Sequence, residues 1–195
     1  MKIGKILKYI FISILVIFIA IVMIRVFMNA ERSTLSDIFP TESAKKAYAS
    51  QGEKAFKTHK LVKDITQDGY FTAYALSYCE SAKELQITVR YNDSLPEKYL
   101  KGTSRDEYYF KLCDEDGNLI ATGNILKEKH RYFYNYLRLS FDGVEITDTT
   151  HLRLYLCVDS VGYPDEDTEG LLIHYPEQKF KKLSLSKDEK KSLKV

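Results

Sequence analysis

The sequence predicts a mainly β domain, an antiparallel sandwich with a small β-barrel as the alternative, preceded by one transmembrane helix and a short helical spacer. Three observations carry this. An N-terminal run is almost wholly apolar. From Lys60 onward apolar residues recur with a period of two. The composition is rich in Tyr (15) and Phe (10), with no Trp and only 4 Pro, which suits half-buried pleated sheets.

The run that starts at Tyr9 reads YIFISILVIFIAIVMI as far as Ile24, broken only by Ser13, and continues past Arg25 to Met28. At ~1.5 Å rise per residue, about twenty residues cross a ~30 Å hydrocarbon layer. Arg25 sits near the end of the run, where its stem can lie along the apolar zone while the guanidinium reaches the headgroups. Residues before Ala30 read FMN, without the small residue that a signal-peptide cut needs three positions upstream, so an uncleaved anchor is expected. Lys2, Lys5 and Lys8 precede the run, and Arg25, Arg32 and Lys45 follow it. With the amino terminus added, this slight excess places the N-terminus inside and the domain outside the plasma membrane.

Residues 29–59 read as a polar tether and a short helix that begins after Thr41 or Ser43 and is weakened by Gly52. A spacer is expected rather than a helix packed on the domain. The β domain is expected over residues 60–185. Leu85, Ile87, Val89 and Tyr91 alternate with Glu84, Gln86, Thr88 and Arg90, which predicts a strand with one wet face. Leu152, Leu154, Leu156 and Val158 share one face of a second strand, and Phe133, Leu137, Leu139 and Phe141 share one face of a third. Both read as central strands. Further strands are expected at 61–66, 70–79, 107–113, 119–125, 171–175 and 180–185, with hairpin turns at Asp68-Gly69 and Asp116-Gly117. Residues 186–195 read as a solvated charged tail.

A net charge of +2, from 29 basic and 27 acidic residues, is too mild for a nucleic-acid partner. Three cysteines, Cys79, Cys113 and Cys157, cannot form a complete disulfide framework. The four histidines are scattered, and Asp114-Glu-Asp-Gly-Asn118 fits a tight turn better than a calcium loop, so neither metal nor cofactor is expected. The acidic stretch from Asp159 to Gly170 offers carboxylates for calcium or for acid–base hydrolysis, but without ordered spacing.

One distributed signal remains. If Phe133, Leu137 and Leu139 face the core, then Tyr132, Tyr134, Tyr136 and Arg138 face away from it, and Tyr109, Arg153 and Tyr155 have the same outward parity on their own strands. Tyr and Arg are favoured at binding hot spots, which predicts a Tyr-rich face for an envelope protein or glycan. The same stripe also suits a purely structural use, as cross-strand Tyr pairs or as the floor of a second layer.

The run of short strands from residue 60 to 185, with Tyr155 two residues before Cys157 in a late strand, resembles an immunoglobulin-like domain. It is similar to the uncharacterised membrane-anchored domains of this kind in Gram-positive bacteria. That resemblance implies binding in preference to catalysis. In outline, Leu154-Tyr-Leu-Cys157 behind a membrane anchor also resembles the sortase transpeptidases, which would make Cys157 a nucleophile, although no Arg follows it to support an oxyanion. A non-enzymatic, membrane-anchored binding module is therefore the expected function. An envelope transpeptidase or glycan hydrolase, or a structural subunit of a membrane assembly, is the alternative.

Overall fold

The computed structural model describes residues 2–32, 37–65, 71–91, 108–131, 134–146, 151–158, 171–174 and 181–194. The chain divides into two compact units, residues 1–36 and 37–195. The first is one helix, α1 (Lys2–Arg32), within which Gly4–Val26 is 23 residues long and apolar enough to cross a membrane. That span is roughly 34 Å at ~1.5 Å per residue. None of it is buried inside the molecule, so its apolar side chains, Phe11, Ile14 and Phe18 among them, lack the protein contacts of a core helix.

The second unit is mainly antiparallel β. Its strands are β1 (Phe56–Ile65), β2 (Phe71–Cys79), β3 (Glu84–Tyr91), β4 (Tyr108–Cys113), β5 (Leu119–Arg131), β6 (Tyr134–Phe141), β7 (His151–Val158), β8 (Leu171–His174) and β9 (Lys181–Lys182). They form one sheet in the order β8-β7-β4-β5-β6-β3-β2-β1-β9, curled into a half-barrel. An immunoglobulin-like sandwich divides its strands between two sheets. Here the division is bridged by β5, which pairs with β4 through Leu119 to Gly123 and with β6 through Asn124 to Arg131. The arrangement is thus closer to the expected barrel alternative than to a two-sheet sandwich. Both strands read as central are interior, β6 between β5 and β3, and β7 between β4 and β8.

Gly123 stands at this handover. A Cβ there would lie 2.6 Å from Phe141 Cε1 and 3.3 Å from Phe110 Cβ, so only glycine admits the two aromatic side chains at the bend. Curling brings Leu76, Ile87, Leu137 and Leu139 from one arm of the sheet into a single core with Phe110, Leu112, Leu152 and Leu154 from the other.

The turn at Asp116-Gly117 closes the β4–β5 hairpin. Gly117 has φ +87°, and the Asp114 carboxylate accepts the amides of Asp116 (3.0 Å) and Asn118 (2.8 Å). The other expected turn, Asp68-Gly69, and the acidic stretch 159–170 lie outside the described residues.

Four expectations are corrected on the other face of the sheet. Helix α2 (Glu42–Gln51), capped by the Thr41 side chain, is no spacer: Ala44 and Ala47 are buried in a second apolar cluster with Phe56, Leu183 and Leu185. Gly52, with φ +62°, ends this helix as its C-cap instead of weakening its interior. The C-terminal residues are no free tail. Ser186 and Glu189 form a capping box that starts α3 (Lys187–Leu193), and Leu193 is fully buried in the same cluster. Consequently β3 has no wet face over most of its length, for Glu84, Gln86 and Thr88 are each at most 1 % exposed.

A short strap, residues 37–41, completes this second layer. Gln86 accepts from the Phe39 amide (2.7 Å) and donates to the Phe39 carbonyl (2.9 Å), while Thr41 donates to the Glu84 carboxylate (2.7 Å). Burial raises the Glu84 carboxyl above the usual carboxylate range, against hydrogen bonds from Gln86 and Thr41 that act to lower it.

Two outcomes follow from these contacts. Gly123→Ala is expected to lower stability by ~1–3 kcal/mol, because β5 must shift away from Phe141, as read by denaturant unfolding. Because the folded state holds the Glu84 proton more tightly than the unfolded chain, stability falls as pH rises from the ordinary carboxyl range to the raised folded value. The difference between wild type and Glu84→Gln in a pH series of unfolding midpoints should show that slope, and equal slopes would exclude it.

Candidate functional site

The predicted Tyr/Arg stripe has the expected parity but is divided between two environments. On β6, Leu137 and Leu139 face the core, so Tyr136 and Arg138 point to the opposite face. That face lies beneath the second layer, and each of the two residues is only 2 % exposed. Both are corrected from outward binding residues to buried ones, and over Arg138 the strap supplies the cover through the Asp37 carbonyl.

Arg138 is held there by opposite charge. Its Nη1 reaches the Asp37 carbonyl (3.4 Å). Desolvation pushes the guanidinium pKa down to about 10, with Asp37 and Glu189 acting in the opposite direction. Its directly paired neighbour on β3, Thr88, carries a buried hydroxyl without a hydrogen-bond partner. Tyr134 is half-buried, with the Arg90 guanidinium 4.2 Å from its ring centroid. Tyr132 lies outside the described residues.

The remaining predicted residues, Tyr109, Arg153 and Tyr155, come together on the outer face of β4 and β7, where each is half-buried. The register explains why. Lys111 pairs with Tyr155, Cys113 with Arg153 and Tyr109 with Cys157, so one parity of both strands shares a face opposite the core residues Phe110, Leu112, Leu154 and Leu156. Thr122 of β5, exposed and paired with Lys111, extends the patch by a third strand. Lys111 Nζ stands 5.5 Å from the Tyr109 ring centroid. A side-chain hydrogen bond with Tyr155 raises the Arg153 pKa, with Glu115 and Asp116 of the hairpin turn adding in the same direction.

The patch therefore alternates cations and phenols across two paired strands. It can stack on planar or apolar surfaces and donate charge-assisted hydrogen bonds to anionic oxygens. Lys111 shares the parity of Tyr109 on β4, as the sequence shows, whereas Thr122 joins the patch only through register, which parity on single strands does not reveal.

The three cysteines are buried and in no disulfide, and burial raises the Cys79 thiol pKa despite hydrogen bonds from Ser81 and Ala82. Among the described residues no group of His, Cys, Asp and Glu is placed to hold a metal ion. Comparison with protein-family models, with curated proteins and with solved structures finds no match.

The two arginines should respond differently to truncation. Arg138→Ala leaves buried Glu189 without its cationic neighbour and is expected to cost roughly 3–5 kcal/mol, whereas Arg153→Ala on the outer face should cost under about 1 kcal/mol. Denaturant titration of both variants provides the comparison.

Proposed function

We propose that the chain is a single-pass membrane protein whose β domain, on the outer side of the plasma membrane, is a non-catalytic binding module for an envelope protein or glycan. Contact is made through the outer face of β4 and β7. The observation that carries this reading is the grouping of Tyr109, Lys111, Arg153 and Tyr155 on one face, with exposed Thr122 beside them. Such a surface offers rigid aromatic area and fixed cations at little cost in side-chain entropy. Support for the membrane setting is the length and apolarity of Gly4–Val26. Lys2, Lys5 and Lys8, ahead of the apolar run that begins at Tyr9, support an N-terminus on the inner side. An enzymatic role through Cys157 is less well supported, because that side chain is 2 % exposed and a nucleophile must be reachable by substrate.

Two measurements test the proposal. Ser192 is exposed on α3 and the three native thiols are buried, so Ser192→Cys supplies a thiol that a membrane-impermeant maleimide can reach. Labelling on intact cells is expected, and protection released only by lysis would put the domain on the inner side. A photo-crosslinking residue at Thr122 should capture an envelope component in those cells, and Tyr155→Ala combined with Arg153→Ala should abolish the capture. Capture unaffected by that pair would exclude the β4–β7 face as the binding surface.

A further inference from the structure

The strap at residues 37–41 has no regular secondary structure, yet side chains from three strands and one helix hold its backbone. The Asp37 carbonyl accepts from Ser77 of β2 and from Arg138 of β6. Gln86 of β3 engages both the amide and the carbonyl of Phe39. The amides of Asp37 (2.5 Å) and Ile38 (3.3 Å) both donate to Oε1 of Glu189, which belongs to α3 at the other end of the chain.

Glu189 has a second task. Its Oε2 accepts from the Ser186 amide (2.8 Å), while the Ser186 hydroxyl accepts from the Glu189 amide (3.3 Å). One 7 % exposed carboxylate thus both starts α3 and binds the strap, one oxygen to each. Order in the helix and order in the strap therefore depend on the same group. Beyond these bonds the strap contributes Ile38, which joins Leu183, Leu185 and Leu193 in the second cluster. The helix is also tied by the ion pair between Lys190 and Glu53.

Opening such a layer differs from unfolding the sheet. Released strap amides, Gln86 and Arg138 would each regain water, so the net loss per hydrogen bond is small, and the apolar side chains that the strap and helix themselves give to the cluster are Ile38 and Leu193. The curled core, with Phe110, Leu139 and Phe141, is not part of this layer.

We propose that α3 and the strap form a single conformational latch: disengaging the C-terminal helix frees residues 37–41, the first part of the domain to follow the membrane-capable helix in the chain, while the sheet stays folded. The latch offers a route by which capture or cleavage of the C-terminal ten residues would alter the segment of the domain that follows that helix in sequence.

Hydrogen exchange on the full chain in detergent micelles or nanodiscs tests this, comparing wild type with Glu189→Ala, Glu189→Gln and a chain ending at Leu185. Exchange at residues 37–41 should be accelerated about tenfold or more in Glu189→Ala and in the shortened chain, with β3 and β6 unchanged. Glu189→Gln keeps one acceptor oxygen and should fall between them and wild type. Lys191→Ala, an exposed residue of the same helix, serves as the control and should match wild type. Strap exchange unchanged in Glu189→Ala would overturn the latch. So would equal acceleration in strap, β3 and β6, because the helix would then belong to the global folding unit.

Discussion

Phe141 occupies the space that any side chain on Gly123 would need, and this close approach of ring to backbone lets β5 leave β4 and join β6 within a single strand. Most of the domain depends on that handover. Without it the β8-β7-β4 arm and the β6-β3-β2-β1-β9 arm would be separate sheets with separate edges. With it the sheet curls, and the inner faces of both arms share one core. A continuous sheet also keeps its backbone hydrogen-bonded through the bend, so curling costs no unpaired strand edge in the interior.

Curling settles what happens on the convex side as well. Once Leu85, Ile87, Leu137 and Leu139 are in the core, the alternate positions on β3 and β6 must face outward, and they are Glu84, Gln86, Thr88, Arg138 and Ser140. These polar groups are nonetheless buried, and the strap meets Glu84, Gln86 and Arg138 directly, while Ile38 clusters with Ala44 and Ala47 of α2 and Leu193 of α3. Burial of polar groups is tolerable only with partners, and the strap backbone supplies several of them. The second layer is thus apolar at its rim and hydrogen-bonded at its centre, a composition that favours local opening over rigid packing.

The same pleat on the β4–β7 arm leads to a different result. Tyr109, Lys111, Arg153 and Tyr155 have the parity that Gln86 and Arg138 have on the other arm, yet they stay half-exposed. Parity therefore defines two polar faces, one closed by the chain's own ends and one presenting phenols and cations. The proposed binding role rests on the second, and the proposed latch on the first.

The apolar helix, the β class, the inward residues of β3, β6 and β7 and the Asp116-Gly117 turn were legible in the sequence, since each is a local periodicity or a local turn preference. The capping box Ser186-Lys-Asp-Glu189 was not read from the sequence, because it stands in a Lys-rich run that looks solvated. Which polar stripe is buried was not legible. An alternating strand looks the same whether water or another layer lies on its polar side, and the layer here comes from distant residues, Thr41 reaching Glu84 across 43 positions and Asp37 reaching Arg138 across 101. Local pattern determined the elements and the direction of each side chain. Only the tertiary structure decided that strands with two-sheet spacing close into one curled sheet, and that Tyr136 and Arg138 lie inside while Tyr109 and Tyr155 lie outside. Strand pairing and the covering of a face are set by contacts between distant segments, which carry no short-range signature.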